Sequence, residues 1–299
     1  MARRRLSDDT PFVVADATPP ATLGCHPSGH QLPVLNSHFP WDDFDSSWYL
    51  DHNYKKLRDD DRQIIEIVRD FFVTFGLPNH RYEHGIDVGA GTNLYPALTM
   101  LPLCDKITLY EYAASNFSWL QHEIHSYSPS WDPFWDLLAN EPTYKLVDSP
   151  REVLATTARV EKGSVFDLPE LRWDIGTMFF VAESISFELS EFQAALRSFL
   201  RSLRPGAPFA AAFMEGSLGY DVSAHRFPAV AITADDVKTY LTGDTEDLKV
   251  HRIGTTSNPL RDGYEGMILA TGRVSSTIMF QDPVMNVQDP VMFMIADDN

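Results

Sequence analysis

The sequence predicts an α/β fold built on a mostly parallel sheet of seven strands with a C-terminal antiparallel strand. Three observations carry that expectation. Strand-like and helix-like segments alternate from Ile86 to Met214. A glycine turn, Gly89-Ala90-Gly91, joins the first strand to a helix. Two late strand segments, Leu248 to Ile253 and Gly266 to Val274, have no helix-length stretch between them and should therefore pair antiparallel.

Length and composition suit this architecture. With 299 residues, 44% of them hydrophobic and 12% aromatic, the chain can bury one large core. Composition assigns residues 1–36, rich in Pro, Thr, Ala and Asp, to a mobile N-terminal arm. Residues 37–275 form the folded domain, and 276–299, where Q-D-P-V-M occurs twice, a C-terminal tail. A net charge of -18 argues against nucleic acid or an anionic membrane as partner and fits a neutral or cationic small molecule. The two cysteines, Cys25 and Cys104, suggest neither a disulfide framework nor a zinc site, and Cys25 with His26 and His30 falls short of four ligands, so no metal is expected. The residues after Arg3-Arg4-Arg5 are polar, not an apolar signal core, and no run is long enough to span a membrane; a cytoplasmic location is the expectation.

In chain order, the segment from Phe39 to Tyr54 packs six aromatic residues into 16 positions. It reads as core wall or as a lid (39–54) whose tyrosine hydroxyls reach a ligand. Ile64, Val68, Phe71, Phe72 and Phe75 recur at helical spacing up to Gly76 and Pro78. Ile86 and Val88 open the first strand, and Ile107, Leu109 and Tyr110 a second that ends in Glu111. Ala114 to Ser126, Trp131 to Leu138 and Pro150 to Thr157 are helix candidates, Arg159 to Phe166 a third strand, and Asp174 to Ala182 a fourth, apolar enough to be buried on both faces. Phe192 to Leu203 is an amphipathic helix closed by Arg204-Pro205-Gly206. Phe209 to Met214 is the fifth strand, ending at Glu215, and Thr233 caps a last helix.

The Rossmann-like strand-turn-helix unit around Gly89 suits an adenosine, with Glu111 placed to accept hydrogen bonds from both ribose hydroxyls. A dinucleotide site wants a third glycine, and Leu94 stands there instead. Asp87, two residues before Gly89, is the pattern of S-adenosylmethionine (SAM) enzymes, with the carboxylate near the amino end of the methionine moiety. Tyr49-Leu50-Asp51-His52-Asn53-Tyr54, I-D-V-G-A-G-T-N-L-Y, Y-E-Y-A-A-S-N and S-W-D-P-F-W together resemble the nicotinamide, phenylethanolamine and thioether methyltransferase family, from about Trp48 to Val274. The resemblance implies a seven-stranded SAM-dependent methyltransferase fold. It implies cofactor contacts at Tyr49, Tyr54, Gly89, Gly91, Tyr95, Glu111 and Asn116, with Tyr112 beside the ribose acid. The family's threonine after the turn falls on Asn93, or on Thr92 with a shift of one. Its adenine-side acid and valine fall on Ser164 and Val165, so the acid is missing, with Asp167 close by.

The family's acceptor-facing acid falls on Glu215, and Glu183 ends the fourth strand in a similar position; these two are the catalytic candidates, able to hold an ammonium or shuttle its proton. Trp41, Phe44, Trp48, Tyr220 and Asp221 are the further acceptor-binding candidates, since aromatic walls with one or two carboxylates suit a flat, basic molecule. The expected activity is methylation of a small amine or nitrogen heterocycle by in-line transfer, in a monomer or weak homodimer. O-methylation, a non-catalytic SAM-binding regulator and an NAD-type oxidoreductase are the competing readings.

Overall fold

The computed structural model describes residues 34–76, 81–254 and 263–276. The Cys25, His26 and His30 trio, Pro78 and the Q-D-P-V-M repeat lie outside the described residues. The chain enters through two single-turn 3-10 helices, Asn36–His38 and Trp41–Asp43, and the helix α1, Ser46–Asn53. Asp45 caps α1 by accepting the Trp48 N–H. Next comes α2, Asp59–Phe75, whose first turn carries Asp59, Asp60 and Asp61, where carboxylates oppose the positive helix end. Then follow β1 (Tyr82–Val88), α3 (Tyr95–Met100), β2 (Cys104–Glu111), α4 (Ala114–Glu123), α5 (Asp132–Leu138), α6 (Pro142–Lys145) and α7 (Pro150–Thr157). The second half holds β3 (Ala158–Lys162), β4 (Ile175–Phe179), α8 (Leu189–Ser202), β5 (Pro208–Glu215), the hairpin β6 (Tyr220–Val222) and β7 (His225–Phe227), α9 (Ala234–Leu241), β8 (Thr245–Gly254) and β9 (Gly266–Val274).

Seven strands form one sheet in the order β3-β2-β1-β4-β5-β9-β8. The first five are parallel, and β9 runs antiparallel between β5 and β8. Two apolar layers sandwich it. On one face α2 contributes Ile64, Val68 and Phe72 against Ile107, Ile175, Ala210 and Ala212. On the other α8 contributes Phe192, Phe199 and Leu200 against Ile86, Phe209, Ala211 and Phe213. Along β5 the side chains alternate between these layers, the period of two that a strand imposes. A third, smaller cluster joins Trp41 and Phe44 to Tyr220, Val222 and Phe227 of the hairpin.

Two strands are shorter than the sequence reading. β3 ends at Lys162, because Ser164 Oγ accepts the Phe166 N–H and turns Val165–Asp167 into a 3-10 helix. β4 ends at Phe179, because Phe180 adopts φ 61, outside the extended region. The strand order also puts the crossover between β1 and β4 beside the glycine turn. Open α/β sheets bind ligands at such a point, at the carboxyl ends of the strands.

Candidate active site

β1 delivers the chain into a turn that only glycine accommodates. Gly89 and Gly91 have φ 64 and 57, and a Cβ on Gly89 would stand 2.5 Å from Val181 Cγ2. The Gly89 N–H donates to the Tyr110 carbonyl at 2.7 Å, which ties the turn to the end of β2. At that end Glu111 is buried and bidentate: Oε2 accepts the Gly91 N–H and Oε1 the Ala113 N–H, both at 2.8 Å. Burial pushes its pKa up, while these backbone N–H groups and the Asn116 side chain oppose the rise.

In front of this turn lies a cavity of about 830 Å³, counting the part open to solvent. Of the cofactor candidates, Tyr49, Tyr54, Gly89, Gly91, Asn93, Glu111, Tyr112, Asn116, Ser164 and Val165 all line it. So do Trp41, Phe44 and Tyr220 from the acceptor candidates. The aromatic members form a connected wall: Phe44 is 5.0 Å from Tyr49, Tyr49 is 6.3 Å from Tyr220, and Tyr220 is 5.7 Å from Phe227, centroid to centroid. Trp41 and Phe44 both lean on Phe227, at 5.0 and 5.2 Å.

Six candidates do not line the cavity. Asp87 is buried under the turn, where Thr177 Oγ1 donates to its Oδ1 at 2.8 Å. Burial is the main cause that pushes its pKa up to about 8. Tyr95 is wholly buried, its ring stacked 5.9 Å from Phe134 and its hydroxyl beside Asp61. Trp48 stacks on His52 at 4.7 Å. Asp221 is exposed and pairs with Arg226 at 3.2 Å. Glu183, expected at the end of the fourth strand, lies instead in the 3-10 turn at 182–184, buried with Oε1 accepting the Met214 N–H at 2.9 Å, a bond that fastens this turn to β5. Glu215 is buried and its Oε2 accepts from Arg252 Nε on β8 at 2.8 Å. Asp167, considered as a stand-in for the missing adenine-side acid, is exposed and outside the lining.

The lining also includes residues that sequence reasoning did not select: Asn36, Gly163, Val181, Ser184 and Ile185. No motif marks them. Their places follow from the 3-10 turns at residues 36–38 and 182–184 and from the short β4, which bring non-strand backbone to the sheet edge.

A model of the NNMT/PNMT/TEMT family matches residues 34–271, most of the chain. The chain belongs to this family. It is a SAM-dependent methyltransferase acting on a small molecule. Among solved structures, the methyltransferase is similar to the N-methyltransferase NodS from Bradyrhizobium japonicum WM9 with S-adenosylhomocysteine, at 14% identity over 78% of this chain and 93% of that one, TM-score 0.45. It is also similar to the 1,6-didemethyltoxoflavin-N1-methyltransferase of Burkholderia thailandensis, at 14% identity over 77% and 84%, TM-score 0.45. No curated protein matches the methyltransferase at the level of sequence.

The residues around the turn fit the cofactor. Thr92 Oγ1 and Asn93 Nδ2, both on the cavity lining, are buried without a protein partner, a hydroxyl and a donor next to each other in the chain. Buried polar groups of this kind demand partners, and an ammonium with a carboxylate supplies them. Glu111 offers the acceptor for a ribose diol. When bound, SAM brings an electrophilic methyl group on a sulfonium. The protein's part is to hold both reactants in line and dry, an orientation effect worth ~7 kcal/mol or more. Among the described residues no group of His, Cys, Asp and Glu is arranged to hold a metal, and no helix is long and apolar enough to cross a membrane.

Proposed function

We propose that this methyltransferase alkylates a nitrogen of a small amine or nitrogen heterocycle. The observation that carries the reading is the aromatic wall of Trp41, Phe44, Tyr49 and Tyr220 in the same cavity as the glycine turn. A nitrogen gains positive charge as its new bond forms, and a cation over aromatic faces is stabilised by about 0.5–2 kcal/mol. That charge is larger in the transition state than in a neutral acceptor, so the wall lowers the barrier as well as binding a flat ring.

The lining chemistry supports a further distinction. Among the described lining residues Glu111 is the one carboxylate, and it is occupied by the Gly91 and Ala113 N–H groups. A pyridine-type nitrogen, already neutral and with no proton to lose, matches that environment. For a protonated amine, the proton acceptor we assign is Glu215 at the end of β5, which lies outside the lining beside Arg252 and is reached through water. Glu183 fastens the 3-10 turn after β4 to β5 beside it.

Turnover of SAM with a panel of amines, nitrogen heterocycles, phenols and thiols tests the proposal. Methyl transfer to nitrogen acceptors is expected. Transfer to phenols alone would replace it with the O-methyltransferase reading and leave the cofactor site untouched.

A further inference from the structure

We propose that Ser46, on the segment that covers the cavity, is a positioning residue for cofactor binding and acts through the side chain of Asn116. Ser46 opens α1 and is buried, and its Oγ donates to Asn116 Oδ1 at 2.7 Å across a separation of 70 residues. A carboxamide has one acceptor end and one donor end, so fixing the oxygen on Ser46 decides where the NH₂ group points. Asn116 lines the cavity, and its side chain is one of the groups that stabilise the Glu111 carboxylate against burial. The amide therefore faces Glu111 with its donor end, and Ser46 holds it so.

Neighbouring contacts place this pair at a junction. The Ala113 N–H is taken by Glu111 and the Ala114 N–H by Asp42 Oδ1, each at 2.8 Å, so cofactor acid and covering segment share the first turn of α4. One turn along α1 from Ser46, Tyr49 lines the cavity with the aromatic wall. The segment 36–54 thus bonds to the start of α4 through Ser46 and Asp42, beside Glu111 and Asn116, and lines the cavity itself through Trp41, Phe44, Tyr49 and Tyr54. The sequence motif that singles out Tyr49 and Tyr54 passes over Ser46, because a serine at the start of a helix ordinarily only caps it. Here the cap is Asp45 and the serine hydroxyl is spent on α4.

This inference rests on the cofactor site and is independent of the nitrogen-acceptor proposal, so the test uses S-adenosylhomocysteine without an acceptor. Calorimetric titration of the full chain should give a Kd for Ser46→Ala that is about 5- to 10-fold weaker than wild type, the usual effect of losing one buried hydrogen bond. Ser46→Thr keeps the hydroxyl and should stay within about twofold of wild type. The KM for SAM should rise in Ser46→Ala while kcat at saturation holds. In an Asn116→Ala background Ser46→Ala should add little, because the two side chains act as one unit. Wild-type affinity in Ser46→Ala, or losses from the two substitutions that add in full, would overturn the proposal. A wild-type protein that fails to bind S-adenosylhomocysteine would overturn it together with the cofactor site.

Discussion

Glu111 serves two structures at once, since the carboxylate that is to receive a ribose diol also fastens the Gly91 and Ala113 N–H groups. Glu111→Ala therefore removes a charged acceptor from a buried place, and affinity for S-adenosylhomocysteine should fall by ~1.5 to 3 kcal/mol. Equal affinity in calorimetry would detach Glu111 from the site. Asp87 makes a different prediction. Its pKa rises from an ordinary 3.8 to about 8, chiefly through burial, so the folded protein holds a proton there that the unfolded chain releases. Asp61, also buried, rises to about 7 for the same main reason. With a folded pKa above the unfolded one, the stability from each neutral acid is complete below its ordinary pKa and is lost as pH climbs through the folded value. Melting temperature should thus decline for the free protein between pH 5 and 8, and Asp87→Asn should decline less steeply. Asp87 lies outside the cavity lining; should the cofactor's ammonium reach its Oδ2, the carboxylate is favoured and binding near neutral pH releases a proton. Titration in buffers of different ionisation enthalpy reads that release directly, and no dependence on buffer would count against Asp87 as the ammonium's partner.

The segment 36–54 is tied to the rest of the fold by Asn36 N–H to Glu191 Oε2, Asp42 to the Ala114 N–H and Ser46 to Asn116, and by aromatic contacts to the hairpin and the main core. Trp41, Phe44 and Tyr54 are already buried, and ligand contacts from Tyr49 and Tyr54 should tighten the segment further. Hydrogen exchange over residues 39–54 should slow when S-adenosylhomocysteine is added, while exchange in β5 stays unchanged; equal rates with and without ligand would make the segment a fixed wall. The same segment shows where the sequence was legible. Strands β1, β2, β5 and β9 and helix α8 could be read because each buries a regular apolar stripe, whose period survives any context. The glycine turn and Glu111 could be read because φ near +60 and a charged strand end admit few residue types. Helix α1 could not, since its surface has no single apolar face and its aromatic residues divide between cavity and neighbours. The β6–β7 hairpin was equally hidden, because Val222 and His225 pair across Ser223-Ala224 without the Asn-Gly or Asp-Gly signal of such turns. Glu215 was legible as a strand-end acid, but its ion pair with Arg252 joins β5 to a strand 37 positions later, which no local pattern encodes.

Charge acts on the molecule as a whole. The chain carries a net charge of -18, and SAM differs from S-adenosylhomocysteine by the sulfonium, one positive charge. A strongly negative protein raises the local concentration of cations, and salt removes that advantage as the screening length falls from ~10 Å at 0.1 M to ~3 Å at 1 M. The two ligands carry the same ribose, adenine and amino-acid groups, so contacts made to those groups cancel in a comparison. The KM for SAM should therefore rise with ionic strength, while the Kd for S-adenosylhomocysteine, which has no net charge, should change much less. A parallel response of both would show that the surface charge does not reach the site. The same series reports on the acceptor. A nitrogen heterocycle that reacts as the neutral base feels no steering, and its kcat/KM at saturating cofactor should be flat in salt. An ammonium that approaches as a cation and then gives its proton to Glu215 is steered, and its kcat/KM should fall. Salt dependence, measured for the best acceptor of the panel, thus separates the aromatic wall acting alone from the wall acting with Glu215 as proton acceptor.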